Sequence, residues 1–404
     1  MSTAAVMCGG GLGAYDLVRT LGRGGIESAV FASHPADLAF RSRYTRRTLL
    51  LPKFKEENFR EIFDRIRAFS QAGADRPVLF YLGDSELMFM SRFRDMLEPW
   101  YRVLLPPPTI LDAVMSKVRF IGLAREARLP VPAALAFSDV EELESGIEAL
   151  EMPCIVKPAY NQDWFWESED LRSRFGEYKQ ALRRFDSPRA LLEFCAGLPR
   201  RPAGFIVQSY IDGPDERIAS FHGYLDEQSR CLAYFLTREI RTNPPHSGDI
   251  AYCETFHDEA LARLSVECLG RIGFRGIVKI DYKWDERAGA YKMLEIEPHY
   301  QTWDLLGAYA GVNLGLVAYR HQRGERVEAH RGYGDGVRLW HVSEDLRAYV
   351  RGYRKTKEWT FVNYVKSLRG RKHYRVYDPH DPLPFLYSSL RYVRRKVTRL
   401  LLAS

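Results

Sequence analysis

Short apolar runs alternate with amphipathic stretches along most of the chain, which is the pattern of strands laid between helices. The opening A-A-V-M-C, the glycine-rich G-G-G-L-G-A-Y-D-L-V-R-T-L-G-R and the S-A-V-F-A that follows predict strand, turn, helix and strand, one parallel βαβ unit. A second unit has its helix over E-E-N-F-R-E-I-F-D-R-I-R-A-F and its strand at P-V-L-F-Y-L, with Gly83-Asp84-Ser85 at the carboxyl end, where open α/β sheets bind ligands. Farther on, M-P-C-I-V-K-P-A-Y predicts a short buried strand closing at Lys157-Pro158. The segments G-I-V-K-I-D-Y-K-W and A-Y-K-M-L-E-I-E alternate with period two around D-E-R-A-G-A, predicting a β-hairpin. Beyond residue 325 the pattern turns helical, from W-H-V-S-E-D-L-R-A-Y-V-R-G-Y to a basic final segment. An α/β chain follows, divided at 1–110, 111–203, 204–325 and 326–404.

The hairpin carries the chemistry. Period-two alternation points Asp281, Glu295 and Glu297 to one side. Carboxylates so placed repel one another unless a hard, oxygen-seeking cation lies among them, Mg²⁺ or Mn²⁺ together with a substrate phosphate; the alternative is a solvated sheet face. Lys157, ending its strand, would aim an ammonium into the cleft which that strand borders.

These residues, with R-S-R-Y-T, S-K-V-R-F-I-G-L-A-R-E-A-R-L-P-V-P, I-V-Q-S-Y-I-D-G-P-D-E, T-R-E-I-R-T-N-P-P-H-S-G, E-I-E-P, A-Y-A-G-V-N-L and D-P-H-D-P-L-P in that order, resemble the ATP-grasp superfamily. The resemblance is to its carboxylate–amine ligases of the D-aspartate-ligase-like kind and spans nearly the whole chain. It implies a Rossmann-like first lobe, a small α+β subdomain closing over ATP, a larger α+β lobe with an antiparallel sheet and metal site, and a helical C-terminal extension. By that resemblance Lys117 and Lys157 contact the nucleotide phosphates, Gln208-Ser209-Tyr210-Ile211 form the hinge facing adenine, and Asp215 takes the ribose hydroxyls. Arg238, Arg241 and His299 would contact the transferred group, with Arg241 ahead of Arg238, because positions three apart on a strand face opposite ways unless it bulges. Gly10, Gly11 and Asp84 would form a substrate anion site. The chain departs from the family at Ser116 before Lys117, where aspartate is usual, and at Asp281, Glu297 and His299, which stand for glutamate, asparagine and arginine. Trp164, Phe165 and Trp166 occupy the usual place of a glycine-rich phosphate loop, as a substrate-facing lid or a local apolar plug.

The glycine turn near residue 10 also invites a dinucleotide reading, and an NAD(P)-dependent oxidoreductase is the competing class. The G-x-G-x-x-G spacing is imperfect, and the next acid after the second strand is Asp37. At 404 residues, 46% hydrophobic and 27% charged, the chain supports several packed lobes. It has no apolar run near the ~20 residues of a membrane span, so a cytoplasmic location is expected. Six scattered cysteines without C-x-x-C indicate neither disulfides nor zinc. The net charge of +7 sits in the tail: residues 341–404 hold 15 Lys and Arg against 5 Asp and Glu, which is +10, leaving −3 elsewhere. The final segment mixes apolar and basic positions at helical spacing. It fits a helix packed on its own protein or one lying on an anionic membrane, in contact with a lipid-linked substrate or as part of a non-catalytic ATP-binding module. With no nucleic-acid motif, small-molecule carboxylate and amine substrates are the expected partners.

Overall fold

The computed structural model describes residues 5–70, 75–160, 184–197, 204–246, 248–329 and 332–403. The first βαβ unit forms as its pattern predicts: β1 (Ala5–Cys8), the helix Gly11–Arg23, and β2 (Ser28–Ala32). β3 (Thr45–Leu50) and β4 (Val78–Tyr81) complete a parallel sheet ordered β3-β2-β1-β4. Both central strands are buried along their whole length, which is why they read as apolar runs without alternation.

The second sheet is small. It contains β5 (Ala134–Phe137), β6 (Cys154–Pro158), β7 (Arg184–Phe185) and β8 (Phe205–Ser209), antiparallel in the order β5-β8-β6-β7, around a core of its own that includes Leu143, Val156, Phe194 and Val207. The third is built on three long strands, β9 (Ile218–Leu225), β10 (Cys231–Asn243) and β12 (Gly276–Asp285), with β11 (Asp249–Thr255) and β13 (Ala290–Glu297). Its full order is β13-β12-β9-β10-β11-β14-β15, where β14 is Arg338–Trp340 and β15 is His373–Tyr374.

Those last two strands correct the expectation of a purely helical extension beyond residue 325. β11 would otherwise leave an open edge, and β14 pairs antiparallel with it through Tyr252↔Trp340 and Glu254↔Arg338. The extension then folds back on the first lobe. In the D-P-H-D-P-L-P segment, Asp378 takes an ion pair from Arg23 at 2.8 Å, and Asp381 accepts from Ser42 Oγ at 2.6 Å and from the Arg43 backbone N–H at 2.9 Å.

Candidate functional site

One face of the central sheet is charged. Asp281 pairs across β12–β13 with Glu295, and Lys279 with Glu297, so all four share a face with Ser220 of β9, the partner of Asp281 on the other side. Ser220 Oγ donates to Asp281 Oδ1 at 2.5 Å. Between two of the carboxylates stands Lys279, its Nζ 2.8 Å from Asp281 Oδ2 and 3.0 Å from Glu297 Oε2. Burial works against this ammonium, yet Asp281 and Glu297 outweigh it and hold its pKa well above the usual value. Burial pushes the Asp281 carboxyl up, Lys279 pulls it back, and the neighbouring Glu297 and Glu295 push it up again.

The opposite wall comes from the small sheet. Lys157 is 8% exposed at the end of β6, and burial lowers its pKa to about 8; Lys117 acts in the same direction, while Glu295 and Asp281 oppose it. Lys117 opens the helix Lys117–Glu126, which Ser116 caps by accepting from the Arg119 backbone N–H. The Lys117 backbone N–H donates to Ala159 O at 2.8 Å, and that bond ties the helix start to the end of β6 and brings both lysines to one wall. Between the walls lies a cavity of about 300 Å³, lined by Lys117, Lys157, Gln208, Glu295, Glu297 and Asp84 and by apolar Met115, Phe120, Ile121, Val131, Ile206 and Met293. Two cations facing carboxylates across an apolar-walled pocket suit a ligand with a flat apolar part and a polyanionic part. Among the described residues no three acidic, histidine or cysteine side chains are gathered as a ready-made metal cage. The donor chemistry nevertheless fits a hard cation, since the Lys279 ammonium already occupies a cation position between Asp281 and Glu297.

Sequence reasoning overlooked Lys279 and Glu239. Lys279 is two positions before Asp281 and so on the same face, a signal present in V-K-I-D. Glu239 follows Thr237 by two, on the cleft face of β10. It is buried, and its Oε2 has no hydrogen-bond partner among the described residues. Burial raises its carboxyl pKa well above the usual range, Asp281 and Asp215 add to the rise, and Lys279 and Lys283 oppose it.

Several expected site residues lie elsewhere. Arg238 belongs to the row Tyr282–Ala219–Arg238, one step from the Asp281 row and therefore on the reverse face, where Tyr282 meets Ser265 of the helix Glu259–Arg271. It pairs with Glu254 at 2.6 Å, not with anything in the cleft. A bulge in β10 between Glu239 and Arg241 changes the alternation, so the two arginines join one network: Arg338 bridges Glu254 and Ser367 O, and Arg241 donates to Ser367 Oγ. Arg241 is fully buried, bound through Nε and Nη2 to Asp345 at 2.5 and 3.0 Å and enclosed by Tyr252, Trp359 and Tyr364. Its charge is committed to holding the extension, and it is not among the residues that line the cavity.

Asp215 is likewise committed. It is 2% exposed and accepts from the Thr242 N–H and Oγ1, Tyr353 OH and His246 Nδ1, four donors that fill the acceptor sites of its two oxygens. In the hinge, Ser209 N–H donates to Ala133 O and Tyr210 N–H to Pro153 O, both at 2.8 Å. Two of the donors expected to face adenine are thus bonded at the edge of the small sheet; Gln208 reaches the cavity, and Ile211 is buried. At the first lobe, Asp37 Oδ2 accepts from Gly11 N–H at 2.6 Å, and a Cβ built on Gly10 would lie 2.4 Å from that oxygen. A carboxylate therefore fills the turn expected to bind an anion at Gly10 and Gly11, and it equally excludes a dinucleotide pyrophosphate there. Asp84 does line the cavity, and His299 Nε2 stands 3.5 Å from its Oδ1. Trp164, Phe165 and Trp166 lie outside the described residues.

A parallel lobe followed by a small and a large antiparallel sheet with a cleft between them is the ATP-grasp fold. The N5-carboxyaminoimidazole synthetase of Staphylococcus aureus complexed with ADP superposes with a TM-score of 0.61 at 10% identity, over 82% of this chain and 79% of that one. The L-amino acid ligase of Bacillus licheniformis gives 0.59 at 14%, over 80% and 75%. In sequence, the D-aspartate ligase of Enterococcus faecium (strain Aus0004) is 23% identical over 279 residues, 65% of this chain and 63% of that protein. The chain thus matches less than two thirds of that relative's length. No family model matches the chain.

Proposed function

We propose that this protein is an ATP-dependent carboxylate–amine ligase, joining a small-molecule acid to an amine with release of ADP and phosphate. The observation that carries this reading is the pair Lys117 and Lys157 facing Glu295 and Glu297 across one cavity, with Asp281 beside Glu295 on the neighbouring strand, in an ATP-grasp fold. The fold is one in which a relative is seen with ADP, and the sequence relative is named a ligase of an amino acid.

ATP would lie with its adenosine against Met115, Phe120, Ile206 and Met293, and its phosphates between the two lysines and the hairpin. Lys157 and Lys117 neutralise phosphate charge and hold the chain of phosphates in line. Asp281, Glu295 and Glu297 would hold Mg²⁺, which supplies charge neutralisation of the phosphates when bound. The substrate carboxylate attacks the γ-phosphorus, its oxygen forming the new P–O bond as the bond to ADP breaks, and an acyl phosphate results. The amine then adds to the acyl carbon and expels phosphate, losing a proton. Lys279, freed from Asp281 and Glu297, is placed to meet the charge moving onto the transferred group. His299 and Asp84, in contact at the cavity wall, would orient the acid or amine.

ADP and phosphate release across a panel of amino acids, other carboxylic acids and amines, with mass detection of the amide, tests the proposal. Glu295→Gln should lower turnover about a hundredfold or more while the fold persists. Near-normal turnover in that variant, or stabilisation of the parent by NAD(P)H and not by ATP with Mg²⁺, would reject it.

A further inference from the structure

The terminal helix Leu383–Ala403 is fastened to the first lobe along one face, and on another Phe385 packs edge-on against the Tyr377 ring at 5.3 Å. Pro384 is buried, Arg41 lies over the Tyr387 ring at 4.8 Å, and Arg391 Nη1 donates to Ala36 O at 3.0 Å. The positions 384, 387 and 391 form the face that packs on the first lobe. The adjoining face carries Leu383, Leu386, Leu390 and Val393, spaced three, four and three apart, and these are 59, 51, 71 and 57% exposed. Four large apolar side chains in one line with so much surface in water call for a partner.

The spacing alone would suit a second copy of the helix, since it is that of a coiled-coil seam. Charge argues against that occupant. Between Leu383 and Ser404 the sequence has five basic residues and no acidic one, so two such helices side by side bring cations together with nothing to pair them. A surface that is itself anionic satisfies both features at once, taking the apolar stripe into its interface and the exposed Arg394 at its headgroups. Among the described residues no helix is long and apolar enough to cross a membrane, so such a contact would be peripheral.

We propose that this helix docks the protein on an anionic lipid bilayer, lying along the surface with Leu383, Leu386, Leu390 and Val393 inserted and Arg394 at the headgroups. The inference rests on the helix alone and holds whatever reaction the cleft performs.

The test uses the full chain and vesicles of phosphatidylcholine with and without phosphatidylglycerol, read by co-sedimentation, with sedimentation equilibrium run alongside. The protein should bind the anionic vesicles, not the neutral ones, and release at high salt. Leu386→Asp with Leu390→Asp should weaken binding at least tenfold, and Arg394→Glu about fivefold or more. Both variants alter exposed positions, so their melting temperature and their stabilisation by ATP should match the parent. Absence of binding to anionic vesicles, equal binding to neutral ones, or a dimer that the leucine substitutions dissociate would each overturn the proposal.

Discussion

Replacing Arg241 separates a catalytic guanidinium from a structural one. In the structure it makes three hydrogen bonds, two to Asp345 and one to Ser367, with no exposed surface. Asp345 also accepts from Trp340 Nε1 at 2.8 Å and from Tyr364 OH at 3.0 Å. Arg241→Met would leave that carboxylate buried among two neutral donors without its counter-charge. Breaking one partner out of a buried ion pair costs about 3–5 kcal/mol, which for a cooperative unit of this kind lowers Tm on the order of 10 °C. The loss should fall on the extension: Trp340, Trp359, Tyr364 and the pairing of β14 with β11 lose their anchor, and amides there should exchange early. Substituting both partners, Arg241→Met with Asp345→Leu, should recover much of the stability, because two apolar groups replace two charges and no uncompensated charge remains. Calorimetry or thermal shift with hydrogen exchange measures this, and ATP affinity at a temperature well below Tm shows whether the cleft is touched. An Arg241→Met protein with unchanged Tm and a hundredfold loss of turnover would refute the reasoning and return the guanidinium to the transferred group.

The Lys157 ammonium, lowered to about 8, should make ATP binding weaken as pH rises above that value, by up to about tenfold in Kd per unit, with little dependence below it. Titration calorimetry across pH 7–9.5 checks this, and Lys157→Met should abolish the slope as well as most of the affinity. Lys279→Met leaves Asp281 and Glu297 without their ammonium, so Mg²⁺ alone should stabilise that variant more than it stabilises the parent, while turnover falls. A smaller Mg²⁺ shift in the variant would show that the lysine does not compete for the cation position. His246 has its pKa raised, first by its hydrogen bond to Asp215, against burial. The stability it contributes is therefore complete below its unfolded pKa near 6.5 and lost as pH climbs through the higher folded value; His246→Ala should flatten that part of a Tm-against-pH curve.

Much of the architecture was legible because burial leaves a direct trace in residue order. The uninterrupted apolar runs of β1, β2 and β4 and the hairpin of β12 and β13 are found as read, although β12 is buried or half-buried at every position, so its alternation sorts side chains by face and not by exposure to water. The same alternation places Asp281, Glu295 and Glu297 together and carries Lys279 with them, whereas Glu239 reaches that face from β10, a strand that only the sheet order brings alongside. What local pattern cannot carry is competition among distant groups. Arg241 and Asp215 have the residue types a nucleotide site needs, yet Asp345, Tyr353 and Thr242, some of them more than a hundred positions away, satisfy them first. Gly11 offers an N–H to an anion, and Asp37 arrives to take it. Register irregularities on either side of Arg241 in the β10–β11 pairing set it on the side of Arg238, a shift no residue type announces. The order of apolar and polar residues by itself determined the first βαβ unit, the hairpin and its carboxylate face, since each depends on neighbours a few positions away, but not the short strands β14 and β15, which exist only as partners of β11 and of each other. Only the tertiary structure decided which charges remain for a ligand, because a buried charge is bound by whichever opposite group the fold brings nearest, and that choice is made across the whole chain.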